Sequence, residues 1–242
     1  MWQQTFSAEW LKLRRSRLGL VLAVLPVLSL LMGCANFVIN QAVLQNGWYS
    51  LWTQVSLFYG EFFLPVLIAI CCAYVCRLEH MNHNWNALLT APVSPASVVL
   101  SKLGVVSVLI AGVQLLFVGL YVGAGLTLGL GNSLPPELPG WALRGWLASV
   151  AIGAVQLMLS MRIRSFAAPV GIALCAVFLG LGLYVAKLGY LSPYSLLTLG
   201  MGVLSQESLN VVENGAFMLM NMLFTAGFTA LTVRGLRRGD VG

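Results

Sequence analysis

The sequence predicts an all-α membrane protein. It would have six transmembrane helices, an N-terminal interfacial helix and a cytoplasmic helix between spans two and three. Re-entrant or interfacial helices would lie on the outer side between spans five and six. Three observations predict this. Hydrophobic residues form 59% of the 242, charged residues only 8%, and mean hydropathy is +0.89. So few charges cannot cover a soluble domain of this size. The apolar residues fall in runs of about 20, the length that spans a bilayer as helix, with no sign of the short alternating segments of a β-barrel. Lysine and arginine collect on alternate connections, as the positive-inside rule requires.

The first seventeen residues read as an amphipathic helix. Trp2, Phe6, Trp10 and Leu13 recur at helical spacing, with Glu9, Lys12 and the basic cluster 14–17 elsewhere. Such a helix would lie in the cytoplasmic interface, although charge alone also fits a plain positive-inside anchor.

The expected spans are 18–39, 53–76, 98–130, 141–161, 166–186 and 216–233. The third exceeds what a bilayer needs and must tilt or protrude. The last is short and carries Asn214 and Asn221 at or within its start. With the N-terminus inside, eleven basic residues fall on the cytoplasmic side, and only Arg144 and Lys187 fall outside. Both termini are then cytoplasmic. Trp48, Tyr49 and Trp52 would mark the start of span two, and Trp141 and Trp146 that of span four.

Residues 77–101 form a polar break too long for a tight turn and too polar to span. Asn82, Asn84 and Asn86 can start a helix, and Trp85, Leu88 and Leu89 give it an apolar edge. Pro92 and Pro95 stop it, and Ser94 or Ser97 can cap the next one. A short helix near 83–90 is expected. It would either dock a cytoplasmic partner or rest on headgroups. Residues 188–215 make the long outer connection, with Pro193, Glu207, Glu213 and a semi-apolar stretch at 194–204 that suggests a re-entrant or interfacial helix pair.

Several classes are excluded. The +6 charge sits at span ends, not on a nucleic-acid-binding face. No phosphate-binding glycine loop ending in Lys-Ser/Thr occurs, so the chain is not expected to hydrolyse ATP itself. His80 and His83 lack a third ligand and read as solvated loop histidines. The five cysteines read as packing residues, and no cleavable signal peptide is expected. No hydrolytic triad or paired aspartates sit in the spans. Glu61, shortly before Pro65, is the clear ionisable group inside a span. It reads either as a structural hydrogen bond to a neighbouring helix or as a functional contact. Gln114 and Gln156 read as interhelical hydrogen bonds.

Two blocks carry a family resemblance. The first is Glu-Trp-Leu-Lys-Leu-Arg-Arg-Ser, residues 9–16. The second is Glu79, then Asn-Trp-Asn-Ala-Leu-Leu-Thr-Ala-Pro-Val-Ser over 84–94, then Lys102. With the order of spans and interfacial helices, they resemble ABC-2 type permeases, and within these the short permeases of bacterial lantibiotic self-protection. The resemblance implies a single six-span permease domain over 1–242 in the bacterial cytoplasmic membrane. It implies that Glu79, Asn84, Trp85, Asn86, Leu88, Leu89, Thr90 and Pro92 couple to a separate ABC ATPase subunit. That subunit would hold ATP and Mg, and this chain would bind no cofactor or metal. A second permease chain, identical or similar, would complete the transporter. The implied activity is export of an amphipathic, cationic peptide, with Glu61, Glu207 and Glu213 as candidate contacts. The same architecture also suits ABC-2 exporters of drugs, lipids or polysaccharides. A secondary transporter or assembly subunit is the more distant reading, since no internal repeat is apparent.

Overall fold

The computed structural model describes residues 2–13, 18–81, 85, 93–205 and 209–239. Among these residues every regular element is helical: α1 (Trp2–Leu13), α2 (Leu18–Ile39), α3 (Gly47–Ser56), a π-helical stretch (Leu57–Phe63), α4 (Leu64–Met81), α5 (Pro95–Thr127), α6 (Leu138–Arg162), α7 (Ala167–Val185), α8 (Pro193–Met201) and α9 (Val211–Arg238). Among the described residues, six stretches are long and apolar enough to cross a membrane, α3 through α4 counting as one of 35 residues.

The spans extend beyond the sequence expectation at several ends, each for a local reason. Span two starts at Gly47, not 53, because Trp48 and Trp52 are packing residues rather than boundary markers. Both are buried, and the Trp52 indole stacks on Trp141 with ring centres 5.0 Å apart. Trp52 Nε1–H donates to Met201 O at 2.9 Å, so an aromatic expected at the membrane surface instead joins three helices. The polar break also shrinks. Helix continues through Arg77 to Met81, and α5 opens at Pro95, leaving 82–94 between them. Ser94 caps α5 by accepting from Ser97 N at 3.2 Å, and Pro95 occupies the first turn, where its missing N–H costs nothing. Span six begins at Val211 because Asn210 and Glu213 form a reciprocal capping box.

The π-helical stretch ends just before Pro65. Proline cannot donate to the carbonyl four residues back, that of Glu61, and its ring crowds that oxygen. A wider turn relieves the crowding, and Leu64 N–H reaches back five residues to Tyr59 O.

Between α7 and α9 the described residues hold one nine-residue helix, α8, where a pair was expected. It is buried on nearly every side against α6, α7 and α9. Ser192 caps its start. Gly202 ends it at φ 59°, where a Cβ would lie 2.8 Å from Trp141 Nε1. Gln156 and Gln114 act as expected between helices: Gln156 Nε2 donates to Tyr194 Oη at 2.6 Å, and Tyr59 Oη donates to Gln114 Oε1 at 2.9 Å.

Two helices approach closely at Gly33, where a Cβ would lie 2.5 Å from Val55 Cα on α3. Gly119, in contrast, has open space where a Cβ would go. Gly33→Ala is therefore expected to lower stability by about 1–3 kcal/mol through forced separation of α2 and α3. Gly119→Ala should leave stability unchanged or raise it slightly. Denaturation midpoints of the two variants in detergent micelles check this, and equal midpoints would contradict the close approach.

Candidate functional site

Where α1, α4 and α5 meet, four charged side chains form one cluster. Lys102, two turns into α5, is fully buried. Its ammonium contacts Glu9 Oε2 at 3.0 Å, Glu79 Oε1 at 2.9 Å and the Val75 carbonyl at 2.9 Å. Three acceptors match the three N–H donors of an ammonium. Lys12 adds a second cation, 2.7 Å from both Glu9 Oε1 and Glu79 Oε1. Two lysines and two glutamates thus cancel, the condition under which buried charge is tolerated.

The cluster explains how α1 lies. Its inward residues are Thr5, Glu9 and, partly, Lys12, while Trp10 and Leu11 are exposed. Thr5, Glu9 and Lys12 therefore dock on the bundle alongside half-buried Phe6 and Leu13, the latter against the hydrophobic core, while Trp10 and Leu11 face outwards. Ser101 Oγ donates to Thr5 Oγ1 at 2.7 Å, and Thr5 also lies 3.1 Å from Ser97 Oγ, extending the seam along α5.

A second polar contact lies on the other side of α4. His80 sits in the last turn of that helix, half-buried, and is not the solvated loop residue expected from sequence. Trp85 Nε1–H donates to His80 Nδ1 at 3.1 Å, and His80 Nε2 lies 2.7 Å from the Ser160 carbonyl. A carbonyl only accepts, so the proton belongs on Nε2, and His80 bridges Trp85 to the end of α6.

Of the residues expected to couple to an ATPase, the described ones are Glu79 and Trp85. Both side chains are buried, Glu79 in the ion cluster and Trp85 against His80. Asn84, Asn86, Leu88, Leu89, Thr90 and Pro92 lie outside the described residues, as does the helix expected near 83–90 apart from Trp85. His83 lies outside them too.

The candidate substrate carboxylates do not share a site. Glu61 is on the π-helical stretch, eighteen residues before Glu79, or about 27 Å along a helix. It is 4% exposed, with Thr198 of α8 beside its carboxyl and Tyr184 of α7 nearby. Its Oε1 has no hydrogen-bond partner among the described residues. Because α8 covers it, contact with a solute requires α8 to move. Glu213 is exposed and its carboxylate accepts from Asn210 N at 2.9 Å as a helix cap. Glu207 lies outside the described residues.

Sequence reasoning placed Glu61 as the clear ionisable group within the spans. The structure adds Lys102, Glu79 and Glu9 to the buried charges. The available signal was a lysine two turns inside an otherwise apolar helix, which is costly unless paired.

A family model described as ABC-2 family transporter protein matches residues 5–180. That stretch runs from α1 into α7 and contains the ion cluster, His80 and Glu61. No curated protein matches the chain.

Lys102→Met removes one cation from a buried, neutral cluster. It is expected to cost about 3–5 kcal/mol, because a carboxylate is left unpaired. Combining it with Glu9→Gln restores neutrality, so the double variant should be more stable than Lys102→Met alone. Unfolding midpoints of the wild type, both single variants and the double variant measure the coupling. Strict additivity would contradict a shared cluster.

Proposed function

Because the chain belongs to the ABC-2 transporter family, whose members are transmembrane subunits of ABC transporters, we propose that it is the export permease for a lantibiotic-type peptide, driven by a separate ATPase subunit. The basic ends of its spans face the cytoplasm, in keeping with the lysine and arginine distribution. ATP and Mg belong to the ATPase, and a second permease chain, identical or similar, completes the membrane part.

The ion cluster is the single observation that carries this reading. Its Glu79 stands three residues before the segment 82–92 in sequence, and the cluster ties α1, α4 and α5 together there. A push on that segment would move three elements as one body instead of being lost in a flexible loop, which is what coupling between subunits requires. His80 and Trp85 extend the linkage to α6.

In this reading Asn84, Asn86, Leu88, Leu89, Thr90 and Pro92 form the surface that meets the ATPase. Glu79 and Trp85 hold that surface to the spans. The exported molecule is an amphipathic, cationic peptide taken from the membrane and released outside. Glu61 becomes accessible to it as α8 moves, with Glu207 and Glu213 contributing negative charge at the outer mouth.

The chain purified from its native operon in mild detergent should bring an ATPase subunit with it. Leu88→Asp combined with Leu89→Asp should abolish that association while the permease remains monodisperse. An unchanged association would remove the coupling surface. For the substrate, Glu61→Gln, Glu207→Gln and Glu213→Gln together should lower resistance of the host to a cationic lantibiotic. Undiminished resistance at normal expression would remove these carboxylates. If deleting the wild-type permease leaves resistance unaltered, the peptide assignment falls and a drug, lipid or polysaccharide takes its place.

A further inference from the structure

The basic end of the bundle carries more positive charge than its acids cancel. The chain has seven acidic residues. Glu9 and Glu79 are committed to Lys12 and Lys102. Glu137 and Glu213 lie at the opposite ends of the helices that terminate in Arg162 and Arg238, and Glu61 is on the π-helical stretch. Glu207 and Asp240 lie outside the described residues, the first between α8 and α9 in sequence and the second after α9. Among the described residues no carboxylate pairs with Arg162, Arg234 or Arg238.

These three arginines line one cavity of about 320 Å³ together with Leu231 and Gly235. Residues 231, 234, 235 and 238 follow the three-and-four spacing of one helix face, so Arg234 and Arg238 point the same way. Arg162 arrives from the last turn of α6. Its guanidinium lies along the α9 backbone at Gly235, where a Cβ would sit 3.4 Å from Nη2 and 3.8 Å from Nε. A long side chain at 235 would take that space. Gly235 thus permits a third cation to join two from another helix, and the arrangement presents guanidinium donors around an open volume.

We propose that Arg162, Arg234 and Arg238 bind the phosphate of an anionic phospholipid in the adjoining leaflet. Guanidinium groups suit phosphate because their forked N–H donors engage two oxygens at once. The same face of α9 continues towards the membrane as Leu231, Gly227 and Leu223. All three are exposed, the two leucines at 48% and 56%. A phospholipid would fill both parts, its headgroup among the arginines and its acyl chain along this strip. A soluble phosphate would use only the arginines, and an acidic protein surface would leave the strip uncovered. Basic pockets between helices at the membrane surface are the setting in which charged headgroups are retained.

The test is lipid retention on the full-length chain, purified with whatever subunits accompany it. It would be loaded with equal phosphatidylglycerol and phosphatidylcholine of matched acyl chains, and bound lipid read by native mass spectrometry. The wild type should retain phosphatidylglycerol over phosphatidylcholine by about tenfold. R162Q/R234Q/R238Q should bring the ratio near parity. Arg237→Gln, which removes a neighbouring arginine outside the cavity, should leave it unchanged. No preference in the wild type would overturn the proposal, and so would an equal loss in Arg237→Gln, which would reduce the effect to general surface charge. Displacement of phosphatidylglycerol by millimolar inorganic phosphate, with equal binding of phosphate in pure phosphatidylcholine, would assign the site to a soluble anion instead. A triple variant that keeps its lipid preference but loses an accompanying subunit would make the arginines a protein contact. If the triple variant fails to fold, the wild-type preference and the single variant Arg234→Gln decide the matter.

Discussion

Lys102 must be neutralised where it stands. Burying an ammonium is prohibitive unless its charge and all three of its protons are met, and no single element of this chain can do that. Val75 and Glu79 on α4 supply two acceptors, and Glu9 on α1 supplies the third. The N-terminal helix is therefore bound to the bundle through Glu9 and Lys12. Lys12 then balances the second glutamate. Such a cluster is a poor source of net stability, since apolar packing could do as well. What it imposes is one arrangement: α1, α4 and α5 fit together only in the register that pairs these charges.

The other half of the bundle is held by different means. Trp48, Trp52, Tyr59, Phe117, Tyr121 and Trp141 pack ring against ring, and the polar tips of Trp52, Tyr59 and Tyr121 find a carbonyl or an amide. Tyr121 Oη donates to Trp48 O at 2.9 Å, and Trp52 to Met201 O at 2.9 Å. Gly125 is bare because a Cβ there would overlap the Trp48 ring. Over this aromatic layer lies α8, nearly all buried, covering Glu61. The bundle is thus joined by ion pairs at its basic end and by rings and a short plug helix towards the other.

This division suits a permease subunit. The ion-paired end adjoins the segment where an ATPase is proposed to act, and a single buried charge network can carry displacement among three elements. Towards the opposite end, a π-helical turn at Leu57–Phe63 interrupts the second span, and the short α8 packs beside it. Glu61 lies between them, one oxygen without a partner among the described residues.

The six membrane-length helices, the N-terminal helix and the cap at Ser94 were legible in the chain because they rest on local rules: run length, residue periodicity, and a serine before a proline. The blocks around Glu9, Glu79 and Lys102 also carried the family resemblance, and residues 5–180 match that family. What local rules cannot tell is which side chain a distant one will meet. Trp48 and Trp52 resembled interface markers because a tryptophan at a span end has the same local sequence whether it faces headgroups or a facing helix. His80 resembled a loop residue because its acceptor, the Ser160 carbonyl, is eighty residues away. The union of Glu9 with Lys102 spans ninety-three positions. The capping role of Glu213 was written locally, three residues after Asn210, yet its charge suggested substrate contact instead. The sequence by itself determined the six membrane-length helices and the family, since hydrophobic length and motif residues act locally along the chain. Only the tertiary structure decided which charges are paired and which aromatics are buried, because burial depends on what the rest of the chain brings alongside.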